Sequence, residues 1–355
     1  MYSPKFTINN DILANVGLVE AAREVIENAP LIPLYESRFI KDALVRTVHH
    51  GTHLEGNDLS LNEVRKAIEG EQVIARERDI QEVINYRNVV NFIDQQEQKN
   101  QKKNRYLESM LQKIHELTCY RILEDDYLGN YRQNQVVVKN GLTGEVTFRP
   151  PPAVEVPFLL EDFFAWLNDS TVSNIHPVLK AGITHYYLVA VHPFIEGNGR
   201  TARAFATLVL FMENYDIRKF FSLEEYFDKD SVAYYQALAD VSVQSQDINQ
   251  RELTPWLTYF TQAMAVELNR IKEKIKKLST DLKMKHKIGQ SIPLNERQIR
   301  LMEYLQANGS ITTPEARKIT PEYSDDTIVR DFNYLAKKGI LKKEGKTKAA
   351  RYILK

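Results

Sequence analysis

Two long apolar segments with helical spacing are joined by one short polar loop that contains two glycines. The first segment runs from Pro177 to Val191, with its apolar residues at the spacing of one helix. The second begins at Thr201, extends to Met212 and is equally apolar. Segments of this kind are typical of helices buried in a bundle, so we expect a mainly α-helical protein with these two helices in its core.

The loop and the first turn of the second helix predict a binding site for an anion. Residues 192–203 read His-Pro-Phe-Ile-Glu-Gly-Asn-Gly-Arg-Thr-Ala-Arg. The turn Gly197–Gly199 lies at the start of the second helix, where unpaired backbone N–H groups and the positive end of the dipole favour negative charge. Glycines let the backbone approach an anion closely, and Arg200 and Arg203 share a helix face from which they can reach separate phosphates. A phosphate chain is therefore the expected ligand.

Two more side chains of the loop suit chemistry beside a bound phosphate. His192 has an ordinary pKa close to neutral pH, so we expect it to act as a general base toward an attacking hydroxyl. Glu196 comes one residue before the turn, where its carboxylate is placed to hold Mg²⁺ against the phosphates. The alternative interpretation is a purely structural corner between two helices, in which arginine and glutamate only pair with each other.

The same residues match a known family motif. The string 192–203 fits His-x-Phe-x-(Asp/Glu)-Gly-Asn-Gly-Arg-x-x-Arg at every specified position, and the chain therefore resembles the Fic family. Members of this family typically move the AMP part of ATP onto a Ser, Thr or Tyr hydroxyl of a target protein. The resemblance implies a helical Fic bundle in which His192 is the base, Glu196 the Mg²⁺ carboxylate, and Asn198, Arg200 and Arg203 are phosphate ligands.

A β-hairpin is predicted in front of the motif, within residues 132–151. Two β-prone runs, Gln135–Lys139 and Glu145–Phe148, flank the turn residues Asn140-Gly141 and Thr143-Gly144. The preceding residues 129–132 also resemble the lead-in to the flap of Fic proteins, which pairs with an extended segment of the target. The resemblance implies that residues 135–148 bind a target protein by strand addition; a hairpin that only caps the bundle is the alternative.

The spacing of apolar residues from Leu44 to Leu54 predicts a helix that ends at Gly56. Gly56 would then be the C-cap glycine, and Glu55 would belong to the last turn. A carboxylate at this end of a helix opposes the dipole, so it gains when a cation meets it. A surface glutamate beside a helix cap is the alternative.

Residues 51–56 also resemble the inhibitory motif of Fic proteins, (Ser/Thr)-x-x-x-Glu-(Gly/Asn). The resemblance implies that Glu55 pairs with Arg203 and keeps it from the γ-phosphate of ATP, so that the protein restrains its own activity. The sequence departs from the motif at one position, because Gly51 stands where the family has Ser or Thr, and Thr52 comes one residue late.

Other polar and aromatic groups are weaker candidates. The spacing of His49, His50 and His53 could place His49 and His53 on one helix face, but no carboxylate or thiol completes a zinc site convincingly, so we do not expect one. By resemblance to the family, Tyr234 and Tyr235 line an adenine pocket, although such aromatic pairs also occur as plain core.

Composition limits the class of protein. The 355 residues suffice for two or three domains, and Lys plus Arg equals Asp plus Glu at 47 each, so the overall charge predicts no polyanion partner. A single cysteine, Cys119, excludes an internal disulfide and is expected to fill core space rather than act as a nucleophile. The N-terminus lacks the apolar stretch of a signal peptide, and no apolar run approaches a membrane span, which favours the cytoplasm.

The C-terminal residues 293–355 predict a separate winged-helix module. Helices are expected over Asn295–Ala307, Pro314–Ile319 and Asp325–Lys338, followed by a hairpin of Ile340–Glu344 and Ala349–Leu354. These residues include thirteen Lys or Arg against eight Asp or Glu. The third helix would bury Ile328, Phe332 and Leu335 and expose a polar face, and the hairpin tip is basic; the face and tip comprise Thr327, Arg330, Asn333, Tyr334, Lys337, Lys346, Lys348 and Arg351. Binding to DNA is one reading of this face, and a protein contact is the other.

The predicted organisation and function follow from these parts. We expect an N-terminal helical region at 1–110, a Fic core at 111–270, a lysine-rich linker helix at 271–292 and the winged helix. The main hypothesis is a self-restrained protein adenylyltransferase that uses ATP and Mg²⁺. Two alternatives are removal of AMP at the same site and a DNA-binding regulator that only senses nucleotide. The sequence leaves open whether the protein forms a homodimer.

Overall fold

The structure, a computed structural model, describes residues 2–29, 31, 33–100, 105–139, 144, 146–286, 294–345 and 350–354. The chain divides into two compact units, Met1–Ile275 and Lys276–Lys355. Helices dominate both units, and the described strands are short, so the predicted mainly α-helical class is confirmed. Within these ranges, no helix has a stretch that is both long and apolar enough to cross a lipid bilayer.

The first unit is a bundle of helices with one hairpin. In chain order its elements are α1 (Asn10–Glu27), α2 (Pro33–His53), α3 (Leu61–Glu69), α4 (Glu77–Asn100), α5 (Glu108–Cys119), β1 (Val138–Lys139), β2 (Val146–Phe148), α6 (Val156–Leu167), α7 (Pro177–Val191), α8 (Asn198–Met212), α9 (Leu223–Lys229), α10 (Ser231–Ser242) and α11 (Thr254–His286), whose residues after Ile275 belong to the second unit.

Helices α7 and α8 form the centre of this bundle. In each of them 13 of the 15 residues are buried, because their apolar side chains cover nearly the whole circumference of the helix. They pack against each other, and α4 and α5 pack on α8 from outside. The two apolar segments of the sequence therefore lie where their composition predicted, and the polar loop between them is fixed at both ends.

Local sequence signals set the helix ends. Helix α7 starts with Pro177 at a position where the missing N–H costs nothing, and the His176 side chain accepts a hydrogen bond from the N–H of Val178 at 3.3 Å. Helix α3 begins with a capping box, in which Ser60 and Glu63 satisfy each other's backbone N–H groups. Capped ends hold each helix at a fixed start along the chain.

Helix α2 ends three residues earlier than predicted. Its last residue is His53, and the chain then turns through residues 54–56. Gly56 has a φ of +90° and donates its N–H to the carbonyl of His53 at 2.9 Å, which is the role expected of a C-terminal glycine. Glu55 therefore lies in the turn that follows the helix rather than in its last turn.

The predicted boundaries inside the first 292 residues differ from the observed ones. Residues 1–110 and 111–270 form one compact unit, because α2 and α4 share a core with α8. The predicted linker helix 271–292 is the end of the longer helix α11, which is continuous from Thr254 to His286. The remainder of the predicted linker, residues 287–292, falls outside the described part of the chain.

The predicted flap is a hairpin in the structure, with shorter strands. Strands β1 and β2 are antiparallel and pair Val138 with Phe148 and Lys139 with Val146. The strands contain two and three residues, where the sequence indicated five and four. Among the predicted turn residues, 140–143 lie outside the described residues.

The second unit has the predicted three helices and a hairpin, with one additional strand. Its elements are α12 (Glu296–Asn308), β3 (Ile311–Thr312), α13 (Thr313–Ile319), α14 (Asp325–Lys337), β4 (Leu341–Glu344) and β5 (Arg351–Leu354). The strand β3, which the sequence analysis missed, pairs with β5 and gives the sheet order β3-β5-β4. Two residues are too short for a period-two pattern to show in the sequence.

The predicted buried stripe of the third helix, now α14, is correct. Ile328, Phe332 and Leu335 are buried, and the ring of Phe332 stacks on Tyr352 of β5 with 4.2 Å between ring centroids. On the other face Thr327 is half-buried, and four side chains are exposed: Arg330, Asn333, Tyr334 and Lys337. The predicted tip residues Lys346 and Lys348 lie outside the described residues, whereas Arg351 is exposed and pairs with Glu344 at 3.1 Å.

Candidate functional site

His192 ends helix α7 and turns the chain into the motif loop. Its φ is +52°, in the left-handed region, and its N–H donates to the carbonyl of Leu188 at 3.0 Å. The ring Nδ1 lies 3.3 Å from the carbonyl oxygen of Val189, which can only accept, so Nδ1 carries the proton and Nε2 keeps its lone pair. Burial lowers the pKa of His192 to about 4. The imidazole is therefore neutral at physiological pH, with Nε2 able to accept a proton.

Asn198 closes the motif loop with its side chain. Its Oδ1 accepts the N–H of Phe194 at 2.8 Å, and its Nδ2 donates to the carbonyl of Phe194 at 2.9 Å. The side-chain amide, predicted to be a phosphate ligand, is therefore engaged within the loop. What Asn198 offers a phosphate is its backbone N–H, because it is the first residue of α8.

His115 of α5 supports the same loop and was not identified from the sequence. Its ring stacks on Phe194 with 3.7 Å between centroids and 5° between planes. Nδ1 accepts the N–H of Gly129 at 3.0 Å, so Nε2 carries the proton and donates to the carbonyl of Glu196 at 3.0 Å. Burial lowers the pKa of His115 to about 4. Nothing near His115 in the sequence signals this role, because its partners are 14 and 81 residues away.

Gly197 is the residue that allows α8 to start here. Its φ is +74°, and a Cβ at this position would lie 2.6 Å from the sulfur of Cys119. Any larger residue would meet both backbone strain and a steric overlap. Cys119 is buried, and burial raises its pKa to about 12, so the thiol is protonated and serves as packing against the loop.

Arg200 and Arg203 lie side by side in the first turns of α8, and both are buried. Arg200 Nη1 is 3.2 Å from Glu82 Oε1 of α4. Among the described residues, Nε of Arg200 and Nε of Arg203 have no hydrogen-bond partner, and Nη1 of Arg200 has only the ion pair with Glu82, without hydrogen-bond geometry. Buried guanidinium N–H groups without acceptors are costly, so a bound anion would satisfy donors that the protein leaves unpaired.

Glu55 contacts the start of α8 directly. Arg203 Nη2 donates to Glu55 Oε1 at 2.7 Å, and a Cβ on Gly199 would lie 2.4 Å from the same oxygen. Burial disfavours the charged carboxylate, but the guanidinium groups of Arg203 and Arg200 outweigh it and lower the pKa of Glu55. An ionised carboxylate of the chain itself therefore occupies part of the region that the helix start and the arginines make favourable for an anion.

Gly51, the departure from the family's inhibitory motif, has a structural reason. A Cβ at Gly51 would lie 2.4 Å from Cε1 of Tyr86, so only glycine lets this ring pack against α2. The hydroxyl of Tyr86 donates to Glu224 at 3.1 Å, and the carbonyl of Gly51 accepts from Arg203 Nη2 at 3.1 Å. The helix segment that carries Glu55 is thus fixed without a Ser or Thr at this position.

The histidines near Glu55 add a second anchor. His50 Nδ1 and His53 Nδ1 lie 2.7 and 2.8 Å from the carboxylate of Asp228 on α9. In the part of the chain that the structure describes, no group of three or more His, Cys, Asp or Glu side chains is arranged to hold a metal ion. These two histidines tie α2 to α9 through one carboxylate.

Glu196 lies at the exposed edge of the motif loop, with 36% of its side chain accessible. Its carboxylate pairs with Arg78 of α4, a residue that the sequence analysis did not single out. Arg200 Nη2 is 3.8 Å from the same carboxylate. Helix α4 thus supplies partners to two residues of the motif.

The two tyrosines predicted to line an adenine pocket differ in their surroundings. Tyr234 is buried in the aromatic core, where its ring stacks on Phe227 and its hydroxyl lies 3.0 Å from His185 Nε2. The ring has no open face for a base, so the core interpretation applies to Tyr234. Tyr235 is 49% exposed, and its hydroxyl donates to the carbonyl of Leu54 at 3.2 Å; it contacts the Glu55 segment.

The flap is tied to the motif by Arg132. Its guanidinium donates to the carbonyls of His192 at 2.8 Å and Pro151 at 2.5 Å, and its backbone N–H donates to Pro193 at 2.9 Å. In the described residues β2 pairs only with β1, which leaves its other edge open. The open edge belongs to a hairpin whose ends are fixed next to His192.

Two family models match parts of the chain. Residues 106–210 match the model of the Fic/DOC family, and residues 297–345 match the DeoR-like helix-turn-helix domain. The first unit therefore contains a Fic/DOC domain, and the second unit contains a DeoR-like helix-turn-helix domain.

Two relatives are similar to part of this chain. The chain is 30% identical over 224 residues to the protein adenylyltransferase Fic of Drosophila virilis and 33% identical over 183 residues to the protein adenylyltransferase fic-1 of Caenorhabditis elegans. The matches cover 58% and 49% of this chain but 44% and 33% of those relatives, so the chain spans less than half of their length.

A solved structure reproduces the fold. The crystal structure of a Fic family protein from Desulfovibrio desulfuricans G20 superimposes with a TM-score of 0.67, at 22% identity, and covers 100% of this chain and 98% of that one. At this identity the likeness concerns the fold alone.

Proposed function

We propose that the protein transfers the AMP part of ATP to a hydroxyl group of a target protein. The observation that carries the proposal is the start of α8, where two buried arginines with unpaired N–H groups lie beside a neutral histidine. The Fic motif supports it, as do the names of relatives that are protein adenylyltransferases.

The chemistry assigns a separate task to each part of the site. Nε2 of His192 accepts the proton of the target hydroxyl while its oxygen attacks the α-phosphorus of ATP. A new O–P bond forms, the bond between the α-phosphorus and the bridging oxygen breaks, and pyrophosphate leaves. Arg200, Arg203 and the backbone N–H groups at the start of α8 stabilise the negative charge of the phosphates.

Glu196 is the residue that would hold Mg²⁺. Its carboxylate is partly exposed, belongs to the loop that precedes the anion site and offers the oxygen ligands that Mg²⁺ prefers. Mg²⁺ usually takes one or two protein carboxylates together with phosphate oxygens and water, so one glutamate suffices. Bound there, the ion would neutralise phosphate charge during transfer.

Glu55 holds this activity back in the resting protein. Its carboxylate takes the Arg203 donor that the phosphates of ATP need, and it lies against Gly199 where the phosphate chain would approach the backbone. ATP that binds beside Glu55 meets a like charge, so it is held in an unproductive position.

Transfer of label from ATP tests the proposal. We expect protein to become labelled from α-³²P-ATP with Mg²⁺ when Glu55 is changed to Gly, and the label to disappear when His192 is also changed to Ala. Asp58→Gly is the matched control, because Asp58 is a nearby acid whose partner is the surface residue Arg76. It should leave the protein as inactive as the parent.

Other outcomes decide against the proposal. Label from γ-³²P-ATP would identify phosphorylation instead, and mass spectrometry of the Glu55→Gly protein would then find no added AMP. If the parent removes AMP from a modified protein faster than Glu55→Gly adds it, the site works in the direction of removal, with Glu55 positioning water.

The flap is the proposed binding surface for the target. Its open β2 edge presents backbone groups next to His192, and strand addition there would place an extended segment of the target over the phosphates. Replacement of Thr147 on β2 by Pro removes a backbone donor from the hairpin. It should reduce transfer to a protein target more than it reduces ATP binding.

The second unit supports an additional role in DNA binding. It matches a DeoR-like helix-turn-helix domain, and α14 exposes Arg330 and Lys337 on the face away from its core. The full chain should bind duplex DNA with an affinity that falls steeply as salt increases. Binding that is insensitive to salt, or absent, would favour a protein contact for this face.

A further inference from the structure

Four charged side chains form a closed ring between α4 and the motif. Arg78 and Glu82 lie one turn apart on α4, and Arg78 Nε is 3.3 Å from Glu82 Oε1. Glu196 and Arg200 lie one turn apart across the start of α8, with 3.8 Å between the nearest N and O atoms. Arg78 pairs with Glu196, and Arg200 lies 3.2 Å from Glu82. Each charge therefore has two neighbours of opposite sign.

The ring engages Glu196 and Arg200, the two motif residues that must be free to bind ligands in the proposed reaction. Glu196 must accept a cation, yet its carboxylate is engaged by the guanidinium of Arg78. Arg200 must bind phosphate, yet it faces the buried carboxylate of Glu82. When both motif residues turn to ligands, Arg78 and Glu82 remain in contact with each other at i and i+4. The exchange leaves no charge of the ring unpaired.

The two members on α4 differ in mobility. Glu82 is 6% exposed and is fixed by Asn57, whose Nδ2 donates to it at 3.0 Å. Arg78 is 56% exposed, so water already reaches much of its long side chain and can replace the contact with Glu196. Asn57 follows the segment that carries Glu55 and also donates to the carbonyl of Asp79 at 3.0 Å. Glu82 is thus the fixed point of the ring, and Arg78 is the part that moves.

We propose that Arg78 is a positioning residue that occupies the carboxylate of Glu196 in the resting protein, competes there with a divalent cation, and shifts to Glu82 when the cation binds. This inference rests on the proposed function, because that function is what makes Glu196 a cation ligand. It adds a restraint separate from Glu55, which acts on Arg203.

The test measures cation binding without any transfer reaction. Mn²⁺ serves as the probe, and its dissociation constant is measured by electron paramagnetic resonance on the full chain with a non-hydrolysable ATP analogue. Variants are made in the Glu55→Gly background. Arg78→Gln should bind Mn²⁺ about two- to fivefold more tightly, the range expected when an exposed ion pair no longer competes. Arg78→Lys retains a positive charge, so its Mn²⁺ dissociation constant should stay close to that of the Glu55→Gly protein.

Arg76→Gln is the matched control. Arg76 is an exposed arginine two residues away, but its partners are Asp58 and Asp79 rather than Glu196. It should leave the Mn²⁺ constant unchanged. Equal or weaker Mn²⁺ binding by Arg78→Gln would overturn the inference, as would an equal gain in Arg76→Gln.

The two proposals fail separately. Tighter Mn²⁺ binding by Arg78→Gln in a protein that transfers no AMP would support the role of Arg78 and contradict the proposed AMP transfer. AMP transfer together with unchanged Mn²⁺ binding by Arg78→Gln would support the proposed function and contradict the role of Arg78.

Discussion

Removal of the Glu55 carboxylate should destabilise the ligand-free protein and increase the stabilisation that ATP binding provides. Arg203 is 2% exposed, and Glu55 is the only carboxylate that contacts it within 4 Å in the described part of the chain. Glu55→Ala leaves the guanidinium with the carbonyl of Gly51 at 3.1 Å and an unpaired Nε. Breaking a buried ion pair costs several kcal/mol, and because 27% of the Glu55 side chain is exposed we expect about 2–3 kcal/mol.

Thermal unfolding measures this cost. A loss of about 2–3 kcal/mol lowers the midpoint by roughly 4–12 °C for a unit of this size. ATP with Mg²⁺ should then raise the midpoint of Glu55→Ala more than that of the parent, because phosphate replaces the missing charge at Arg203. Asp58→Ala is the control; its pair with Arg76 is exposed on both sides and should contribute less than about 1 kcal/mol. An unchanged midpoint for Glu55→Ala, or equal ATP shifts in both proteins, would refute the reasoning.

Three more predictions concern the motif loop, pH and the second unit. Gly197→Ala should lower the free energy of unfolding by about 1–3 kcal/mol more than Gly70→Ala, because both glycines have φ above +70° but only at Gly197 would a Cβ overlap a sulfur; chemical denaturation measures both. Burial lowers the pKa of His115 and His192 to about 4. In the unfolded chain their pKa is about 6.5, so as the pH falls the unfolded chain takes up these protons before the folded protein does. The free energy of unfolding should therefore fall as the pH drops from about 6.5 toward 4. A flat profile in denaturant titrations would contradict this. Arg330→Ala should weaken DNA binding and reduce its salt dependence by about one phosphate contact, measured by fluorescence anisotropy.

The motif residues were predictable from the sequence because they are consecutive. In residues 192–203 the helix-loop-helix connection is local, so glycine, arginine and histidine positions follow from chain geometry alone. The family motif added the contact between Glu55 and Arg203, which the structure has at 2.7 Å although 148 residues separate the two. The buried stripe of α14 was also predictable, because helical periodicity is a local property.

The roles of side chains in and around the candidate site required the tertiary structure. Asn198 was expected to bind phosphate, but its amide closes the loop on Phe194. Tyr234 was a candidate for the adenine pocket, but it stacks in the core. A sequence identifies which functional group is present; whether that group is free for a ligand depends on the neighbours that packing brings to it.

The sequence by itself determined the helical class and the module at the C-terminus, and it predicted the site at the start of α8 and the candidate base His192, because each depends on residues close together in the chain. Only the tertiary structure decided which side chains of other helices contact the motif. Arg78, Glu82 and His115 come from α4 and α5, and they reach Glu196 and Arg200 because those helices pack on α8. Long-range ion pairs and hydrogen bonds of this kind leave no periodic trace in a sequence, since their geometry exists only after the helices have packed.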